Sequence, residues 1–517
     1  MSETSIMPQE ESHAVRIEPM DALNEKLIDN VHPPDWRNPE AKTIYNLVVV
    51  GAGTAGLVSA AIAAGLGARV ALVERNLMGG DCLNVGCVPS KAIIRSSRAA
   101  YDLHHASDFG IDAPPDCSVD FSAVMERMRR LRSDISPNDS VKRFSEMGID
   151  VFLGDARFSG PDGIEVGGQT LRFKKAIIAT GARAVEPPID GLTEAGYLTN
   201  ETVFSLTEQP GEFVVIGGGP IGCELAQAFH RLGSSVTLIE ASPQFLGRED
   251  SDAAEILLQQ LKDEGVRVLL EAKVDSVSIE DGVKQIHINH AGQKYALSAD
   301  QILVGVGRAP NVEGMNLEAA GVEYERKGVK VDDALRTTNP KIYAAGDICL
   351  PYKFTHTADF AARLAVQNAL FPFLPRKKFS DLVIPWCTYT DPEIAHVGAY
   401  PRQLEDDVVS FETVKVEFSH VDRAILDGED KGFLKVHVDA KSGRILGATV
   451  IARHAGEMLS ELTLAINNKI KLGSIGNVIH PYPTQAEAIR MAADQFNRKR
   501  LTPGRRKFLQ SILKLMR

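Results

Sequence analysis

Cysteine is scarce in this sequence, with six residues among 517. Four are scattered along the chain, at Cys117, Cys223, Cys349 and Cys387. The other two, Cys82 and Cys87, lie five residues apart in "DCLNVGC", directly after a Gly-Gly pair. No second ligand pair at zinc-site spacing accompanies them, which disfavours a metal site. We therefore favour a working redox couple over a metal site or two inert buried thiols.

Three further features are missing. An excess of positive charge is absent, because the net charge is −11, and this argues against a nucleic acid partner. Residues 1–44 hold nine acidic and four basic residues and no apolar h-region, so they do not resemble a secretory signal. The apolar stretch from Leu47 to Val73 contains five glycines and Arg69, which indicates a buried strand–turn–helix rather than a membrane span. We expect a cytoplasmic protein, where disulfides are mostly catalytic or redox-sensing.

One pattern occurs twice, at 47–74 and at 213–240: an apolar strand, a glycine turn, a small-residue helix and a second strand ending in an acid. The matching glycines are Gly51, Gly53 and Gly56 in the first copy, and Gly217, Gly219 and Gly222 in the second. Each acid, Glu74 or Glu240, lies 23 residues after the first glycine. In dinucleotide-binding units such glycines form the turn and admit a pyrophosphate, and the acid accepts hydrogen bonds from a ribose.

Two such units on one chain predict two dinucleotides, a flavin and a nicotinamide, with electrons passing between them. Glu240 suits a free ribose 2′-hydroxyl and would repel a 2′-phosphate, so NADH is favoured over NADPH. Arg248 lies eight residues further on and could soften this preference.

The cysteine pair follows the first unit, at the predicted start of a helix that extends to about Ala100. In an ideal helix a five-residue offset rises about 7.5 Å and points the side chains to different faces. A disulfide needs Cα atoms roughly 4.4–6.8 Å apart, so a bridge requires a distorted first turn, which Gly86 permits. A thiolate at a helix N-terminus also gains a lowered pKa and becomes reactive.

The stretch "GGDCLNVGCVPSK" (79–91) closely resembles the active site of the flavin-dependent pyridine nucleotide–disulfide oxidoreductases. This family includes dihydrolipoyl dehydrogenase, glutathione reductase and mercuric reductase. The resemblance covers roughly Tyr45 to Asn497. Its other motifs are "AIIATGA" (176–182, with Gly181), "VGVGRAPN" (304–311, with Gly307), "IYAAGDI" (342–348), "YTDPEIAHVG" (389–398) and "GATVIARHAGEML" (447–459).

The resemblance implies an α/β homodimer with two Rossmann-like dinucleotide-binding domains and a C-terminal α+β dimerisation domain. The expected boundaries are an N-terminal extension (1–44), the FAD-binding domain in two parts (45–186 and 311–378), the NAD-binding domain (187–310), the dimerisation domain (379–497) and a basic tail (498–517).

The resemblance also implies roles for individual residues. Cys82 is the interchange thiol that faces the acceptor, and Cys87 lies against the flavin and forms a charge-transfer complex when reduced. Lys91 lies near flavin N5 and pairs with Glu224. The remaining flavin contacts are Asp347 at the ribitol chain, Thr355 at the start of a helix near the pyrimidine end, and Ala156 at the adenine. Asp81 departs from the family, which commonly has threonine there, and adds a charge near the thiols.

The C-terminal motif differs between branches of the family. Disulfide-reducing members have a histidine before Pro-Thr-x-x-Glu, supplied by the partner subunit as an acid–base. In "IHPYPTQAE" Tyr482 occupies that position and Glu487 ends the motif. Mercuric reductases also have tyrosine there and a second tyrosine that Tyr197 matches. However, no cysteine follows Cys387, whereas mercuric reductases end in a cysteine pair. His480 lies two residues upstream and could act as the base instead.

These observations predict an FAD enzyme that passes electrons from NADH through flavin and Cys82–Cys87 to a thiol-reactive acceptor, either a metal ion such as mercuric ion or a disulfide. The alternatives are a dihydrolipoyl dehydrogenase that uses His480 and a low-turnover electron-transfer or binding flavoprotein. No resident metal site is predicted.

The last 20 residues carry eight of the positive charges and no acid, so the rest of the chain has a net charge of −19. After Pro503-Gly504, apolar residues fall at helical spacing among basic ones. This predicts a short basic amphipathic helix that contacts an acidic partner, an anionic membrane surface or its own acidic dimer.

Overall fold

The computed structural model describes residue 15 and residues 17–112 and 118–517; Cys117 lies outside the described residues. The first helix, α1 (Ala22–Val31), begins where the Asp21 side chain accepts hydrogen bonds from the backbone N–H groups of Leu23 and Asn24. Such a cap satisfies amide donors that have no partner inside the helix. One face of α1 buries Leu27 and Val31 in the core of the first nucleotide-binding domain.

The first domain contains, in chain order, β1 (Tyr45–Val50), α2 (Thr54–Gly65), β2 (Val70–Glu74), α3 (Gly80–Asn84), α4 (Cys87–His104), α5 (Phe121–Ile135), α6 (Val141–Glu146), β3 (Asp150–Leu153), β4 (Arg157–Gly160), β5 (Gly163–Val166), β6 (Gln169–Ile178) and β7 (Ala182–Ala184). Strand β1 is apolar on both faces and almost wholly buried, as expected of a central parallel strand covered on both sides. The interrupted apolar stretch thus folds as strand, helix and strand.

The second domain contains α7 (Leu192–Ala195), β8 (Glu212–Ile216), α8 (Pro220–Arg231), β9 (Ser235–Ile239), α9 (Ser251–Glu264), β10 (Arg267–Leu269), β11 (Ala272–Glu280), β12 (Val283–His290), β13 (Gln293–Ala299), β14 (Gln301–Val304) and β15 (Arg308–Pro310). Its parallel sheet has the order β10-β9-β8-β14, and β11, β12 and β13 form an antiparallel sheet. Strands β15 and β7 pair antiparallel where the chain leaves and re-enters the first domain.

The chain then returns to the first domain through β16 (Tyr324–Glu325), β17 (Gly328–Val329), β18 (Ile342–Ala344) and α10 (Thr355–Leu370). Strand β18 pairs in parallel with β6, which joins it to the sheet ordered β3-β2-β1-β6. The first domain is therefore completed by residues that follow the second.

The C-terminal region contains β19 (Pro385–Thr388), β20 (Glu393–Gly398), α11 (Pro401–Asp406), β21 (Phe411–Glu417), α12 (Asp422–Leu426), β22 (Phe433–Asp439), β23 (Ile445–Ala452), α13 (Ala455–Asn467), α14 (Leu472–Ile475), α15 (Glu487–Lys499) and α16 (Pro503–Leu515). Its antiparallel sheet, ordered β19-β20-β23-β22-β21, shares a core with α13 and α15. The prediction of two Rossmann-like domains and an α+β domain is confirmed.

The basic tail forms the predicted helix, α16, and none of its residues is buried. Within the part of the chain that the structure describes, no helix combines the length and the apolar character needed to cross a membrane.

Candidate functional site

The cysteine pair lies at a break between two helices. Helix α3 ends at Asn84 and α4 begins at Cys87, so the segment that was predicted as one helix with a distorted first turn forms two helices. The break is at Gly86, whose φ and ψ are −140° and −114°. A methyl group on Gly86 would lie 2.7 Å from the carbonyl oxygen of Asp81, a distance too short for a side chain. Glycine therefore permits the reversal that brings the two thiols together.

The two thiols share one proton unequally. Hydrogen bonding from the Cys82 thiol lowers the pKa of Cys87 to about 6 against the opposing effect of burial, and the Thr355 hydroxyl and the Lys91 charge lower it further. The Thr355 Oγ1 lies 3.3 Å from the Cys87 Sγ. The same pairing, together with burial, raises the pKa of Cys82. In the reduced pair the negative charge therefore lies on Cys87 and the proton on Cys82.

Lys91 and Glu224 form the predicted ion pair between α4 and α8, with 2.7 Å between Nζ and Oε2. The other carboxylate oxygen of Glu224 accepts the backbone N–H of Tyr389 at 2.8 Å. The Lys91 ammonium also lies 4.5 Å from the centre of the Tyr389 ring. Burial opposes the charged form, but Glu224 outweighs it and raises the pKa of Lys91. Tyr389 comes from the C-terminal region and was not predicted.

Each nucleotide-binding repeat needs glycine in its turn, because the neighbouring backbone packs too closely for a side chain. Gly51 has a φ of 98°, and a methyl group there would lie 2.4 Å from the carbonyl oxygen of Ala179. At Gly56 the corresponding atom would lie 1.8 Å from the carbonyl oxygen of Gly51, so α2 packs closely on the turn. Gly217 and Gly222 repeat this arrangement in the second copy. Gly53 and Gly219, the N-caps of α2 and α8, border open space, where the unpaired N–H groups of each helix N-terminus can attract phosphate.

The two motif acids lie at the ends of β2 and β9. Glu74 accepts the backbone N–H groups of Ala52 at 2.6 Å and Asn76 at 2.8 Å. Burial raises its pKa. Glu240 accepts those of Gly218 at 2.7 Å and Ser242 at 2.8 Å. Each carboxylate is thus fixed beside its own glycine turn.

Both turns and the thiol pair open into one cavity of about 2270 Å³. The predicted residues that line it are Gly51, Gly53, Glu74, Cys82, Cys87, Lys91, Ala156, Gly181, Gly217, Gly219, Glu224, Glu240, Gly307, Asp347 and Thr355. Gly56 and Gly222 do not line it and serve helix packing. A pocket for one small ligand measures roughly 300–1,000 Å³, so this cavity has room for two dinucleotides.

A charge cluster that the sequence did not reveal borders the same cavity. Arg308 forms an ion pair with Asp81, and its Nε lies 3.6 Å from Asp347 Oδ2. Among the described residues, the buried Nε has no hydrogen-bond partner. Asp81 therefore pairs with a cation from the end of the second domain. The arginine lies in the quoted "VGVGRAPN", but nothing in that motif pointed to Asp81.

The C-terminal candidate residues do not lie at this cavity within one chain. Tyr482 is 68% exposed, and its hydroxyl donates to Asp422 at 3.0 Å. His480 has a side chain only 6% exposed and lies 3.1 Å from Glu461. Glu487 forms an ion pair with Arg490. Within the described residues, the cavity lining includes none of these three predicted side chains.

Tyr197 also lies outside the cavity lining, and it packs half-buried against the core of the second domain. The structure of one chain therefore does not bring any of the four C-terminal and tyrosine candidates to Cys82.

Comparison with protein families gives two matches. Residues 45–363 match the pyridine nucleotide-disulphide oxidoreductase family. Residues 384–493 match the dimerisation domain of the same family. The first match begins at β1 and ends within α10, and the second spans most of the C-terminal antiparallel sheet and its helices.

Comparison with individual proteins and solved structures also finds flavoprotein reductases and dehydrogenases. A mercuric reductase from Bacillus cereus is 33% identical over 462 residues, which are 89% of this chain and 73% of that protein. A dihydrolipoyl dehydrogenase from Thermus scotoductus is 33% identical over 464 residues, 88% of this chain and 98% of that protein. Among solved structures, a Cu(II) complex of the HOCl-induced flavoprotein disulfide reductase RclA from Escherichia coli has a TM-score of 0.77 and 29% identity, covering 86% of this chain and 98% of that one.

Proposed function

Because the chain belongs to the pyridine nucleotide-disulphide oxidoreductase family, we propose that this FAD-dependent enzyme passes electrons from NADH to a soft metal ion or another acceptor that needs no proton. When bound, FAD supplies two-electron chemistry between the nicotinamide and the Cys82–Cys87 pair. The glycine turns, whose close backbone contacts leave no space for a Cβ atom, and the fixed Glu74 carboxylate form a site that fits it. The dimerisation domain indicates a homodimer.

The proposal of a metal ion or another acceptor that needs no proton rests on the presence of Tyr482. It precedes Pro483, where disulfide-reducing relatives have an acid–base histidine. Hydrogen bonding to Asp422 raises the pKa of Tyr482 above its ordinary value of 10.0. A phenol with a raised pKa cannot remove protons efficiently at neutral pH. We assign Tyr482 the role of a fixed hydroxyl at the partner subunit's acceptor site.

The thiol pair supports the same choice. In the reduced pair the proton lies on Cys82. Reduction of an acceptor disulfide requires a base to remove this proton before Cys82 attacks the disulfide. A divalent soft metal ion needs no such base, because binding to two sulfurs displaces the proton directly. The ion then holds Cys82 and Cys87 as thiolates and one proton is released. Mercuric reductases and a Cu(II)-bound flavoprotein among the similar proteins support a metal ion as acceptor.

One observation favours a second candidate, a dihydrolipoyl dehydrogenase. The His480 imidazole lies 3.1 Å from Glu461, and a carboxylate that orients a histidine is a common acid–base arrangement. In this alternative His480 accepts the Cys82 proton, which Tyr482 cannot do efficiently.

A panel of acceptors tests the proposal. The holoenzyme is assayed for NADH oxidation with mercuric ion, cupric ion, lipoamide and glutathione disulfide. We expect turnover with at least one metal ion and near-background rates with both disulfides. Lipoamide turnover faster than every metal ion would refute the proposal and support the second candidate.

The choice of NADH is part of the proposal and rests on Glu240. Its carboxylate is held by two backbone N–H groups at the rim of the cavity, where it suits a 2′-hydroxyl and repels a 2′-phosphate. Glu240→Arg should shift the ratio of kcat/KM toward NADPH by about 10- to 100-fold, because it replaces repulsion with attraction. Glu240→Gln, which removes the charge without adding a cation, should give a smaller shift. A wild-type enzyme with higher kcat/KM for NADPH would contradict this assignment.

We also propose that α16 contacts an anionic lipid surface. Its large apolar side chains are Phe508, Leu509, Ile512, Leu513 and Leu515, and Met516 follows the helix; all are more than a third exposed. Its charged residues are all basic, whereas the rest of the protein is strongly acidic. Each basic residue near an anionic membrane contributes about 1 kcal/mol.

Deleting residues 503–517 should therefore reduce co-sedimentation with anionic vesicles more than about tenfold and leave NADH oxidation unchanged. Replacing Arg505, Arg506 and Lys507 with glutamine should weaken binding. The same change at Arg376, Lys377 and Lys378, an exposed basic run elsewhere, serves as the matched control. Failure of the full-length protein to bind anionic vesicles at low salt would overturn this proposal.

The domain boundaries expected from the sequence remain our assignment, as do the individual flavin contacts of Ala156, Asp347 and Thr355. All three residues line the cavity, which supports the assigned flavin contacts.

A further inference from the structure

The N-terminal extension packs directly on the loop that carries the cysteine pair. The family match begins at residue 45, so α1 lies outside it. Leu27 and Val31 of α1 are fully buried in the same core as Leu83, which lies beside Cys82. The backbone carbonyl of Val31 also accepts the N–H of Met78 at 3.2 Å. One face of α1 therefore forms part of the support for residues 78–84.

A buried arginine joins this helix to the cysteine loop. Arg132, on α5, donates to the backbone carbonyl of Asn84 at 2.6 Å and to Asn24 Oδ1 on α1 at 2.7 Å. All three residues are at most 3% exposed. In such surroundings a hydrogen bond to a charged group is among the stronger ones in a protein, and its loss leaves a buried group without a partner.

Asn84 transmits this contact to the rest of the loop. It lies between the two cysteines, and its side-chain amide donates to the carbonyls of Met78 at 3.1 Å and Gly80 at 2.9 Å. Its backbone carbonyl, at the end of α3, is the group that Arg132 holds. A second link joins the same two helices, because Arg129 Nε lies 2.7 Å from Asp21 Oδ2. The geometry of α3, and with it the position of Cys82, is thus tied to α1.

We propose that Asn24 and Arg132 are positioning residues that set the equilibrium of the Cys82–Cys87 couple. This inference rests on the redox role proposed for that pair. When the couple is reduced, the S–S bond breaks, two electrons enter, one proton binds Cys82 and Cys87 becomes a thiolate. The reverse reaction depends on how closely the loop holds the two sulfurs. A loop without its Arg132 contact samples more conformations, so the disulfide becomes easier to reduce.

The test measures this equilibrium in the holoenzyme. The protein is equilibrated in mixtures of reduced and oxidised dithiothreitol, quenched with acid and alkylated. Residues 76–91 form one tryptic peptide that contains both cysteines and no other, so its mass gives the fraction oxidised. Asn24→Leu removes the acceptor on α1. Arg132→Lys keeps a buried cation but cannot bridge both partners. Asn24→Asp keeps an acceptor for Arg132.

We expect Asn24→Leu and Arg132→Lys to lower the equilibrium constant for disulfide formation about tenfold, which corresponds to about 30 mV. Asn24→Asp should stay within about twofold of the wild type. Lys26→Ala is the matched control on α1, because Lys26 pairs with Asp134 at 2.9 Å on the exposed side of the helix. It should not change the constant.

Equal constants in the wild type, Asn24→Leu and Arg132→Lys would overturn the inference, as would an equal change in Lys26→Ala. If Asn24→Leu does not yield folded protein, Arg132→Lys decides. A wild-type peptide that forms no reversible disulfide would refute the redox function itself, and the inference would fall with it. A wild type that titrates normally beside unchanged variants refutes only the positioning role.

Discussion

Replacing either Cys82 or Cys87 with serine is expected to reduce NADH-dependent acceptor turnover by more than about 10³-fold, since neither single thiol can form the disulfide. The two variants should nevertheless differ in absorbance. In Cys82→Ser the serine hydroxyl can still donate to Cys87, and Thr355 and Lys91 still favour its thiolate, so the variant should show long-wavelength thiolate-to-flavin absorbance without reduction. Cys87→Ser removes the thiol that we assign to the flavin side and should show none.

Cys349→Ser is the matched control, because burial raises the pKa of that thiol and it does not line the cavity. It should retain turnover. A second check uses pH. In the reduced wild type the thiolate absorbance should fade as the pH falls through about 6, where Cys87 becomes protonated. Identical spectra for the two serine variants would show that the assigned roles are wrong.

Replacing Tyr482 with histidine is expected to raise lipoamide or glutathione disulfide reduction by about 10²- to 10⁴-fold from near background. An imidazole has a pKa near neutrality and can accept the proton that Cys82 holds, whereas the phenol cannot. Asp422, which now accepts the Tyr482 hydroxyl at 3.0 Å, is placed to orient such an imidazole. Steady-state rates with both disulfides, at saturating NADH, give the measurement.

Tyr482→Phe is the control for this gain. It should slow metal-ion reduction modestly, leave flavin reduction by NADH unchanged and leave disulfide reduction at background. His480→Ala should have little effect if the tyrosine assignment is right. Substantial lipoamide turnover in the wild type, lost in His480→Ala, would contradict it and identify His480 as the acid–base.

The sequence alone predicted those parts of the site whose conformation depends on residues close together in the chain. Gly51 and Gly56 act on one turn and the helix that follows it, so their spacing alone indicated the nucleotide-binding unit. The Lys91–Glu224 pair spans two domains and was predicted only from the family resemblance. The two dinucleotide-binding units likewise followed from local repeats, whereas the α+β dimerisation domain was predicted only from the family resemblance.

The contacts that the sequence did not predict join residues far apart in the chain. Arg308 reaches back to Asp81, and Arg132 connects Asn24 with Asn84. The Arg132 contacts are buried, whereas Asp81 is partly exposed. In neither case does a local sequence pattern indicate which residue the arginine contacts. The helix break at Gly86 was anticipated only as a distorted turn, because φ and ψ at one glycine depend on the packing of Asp81 and its neighbours.

The return of the chain to its first domain has a consequence for synthesis on the ribosome. Strand β6 ends at Ile178, but its partner β18 begins only at Ile342, after the whole second domain. At a typical elongation rate of about 5–20 residues per second, the first sheet waits roughly 10–30 seconds for that edge. During this interval the second domain, which is continuous in the chain, can complete its own core. The nascent first domain meanwhile exposes one side of β6, a strand edge that chaperones are suited to cover.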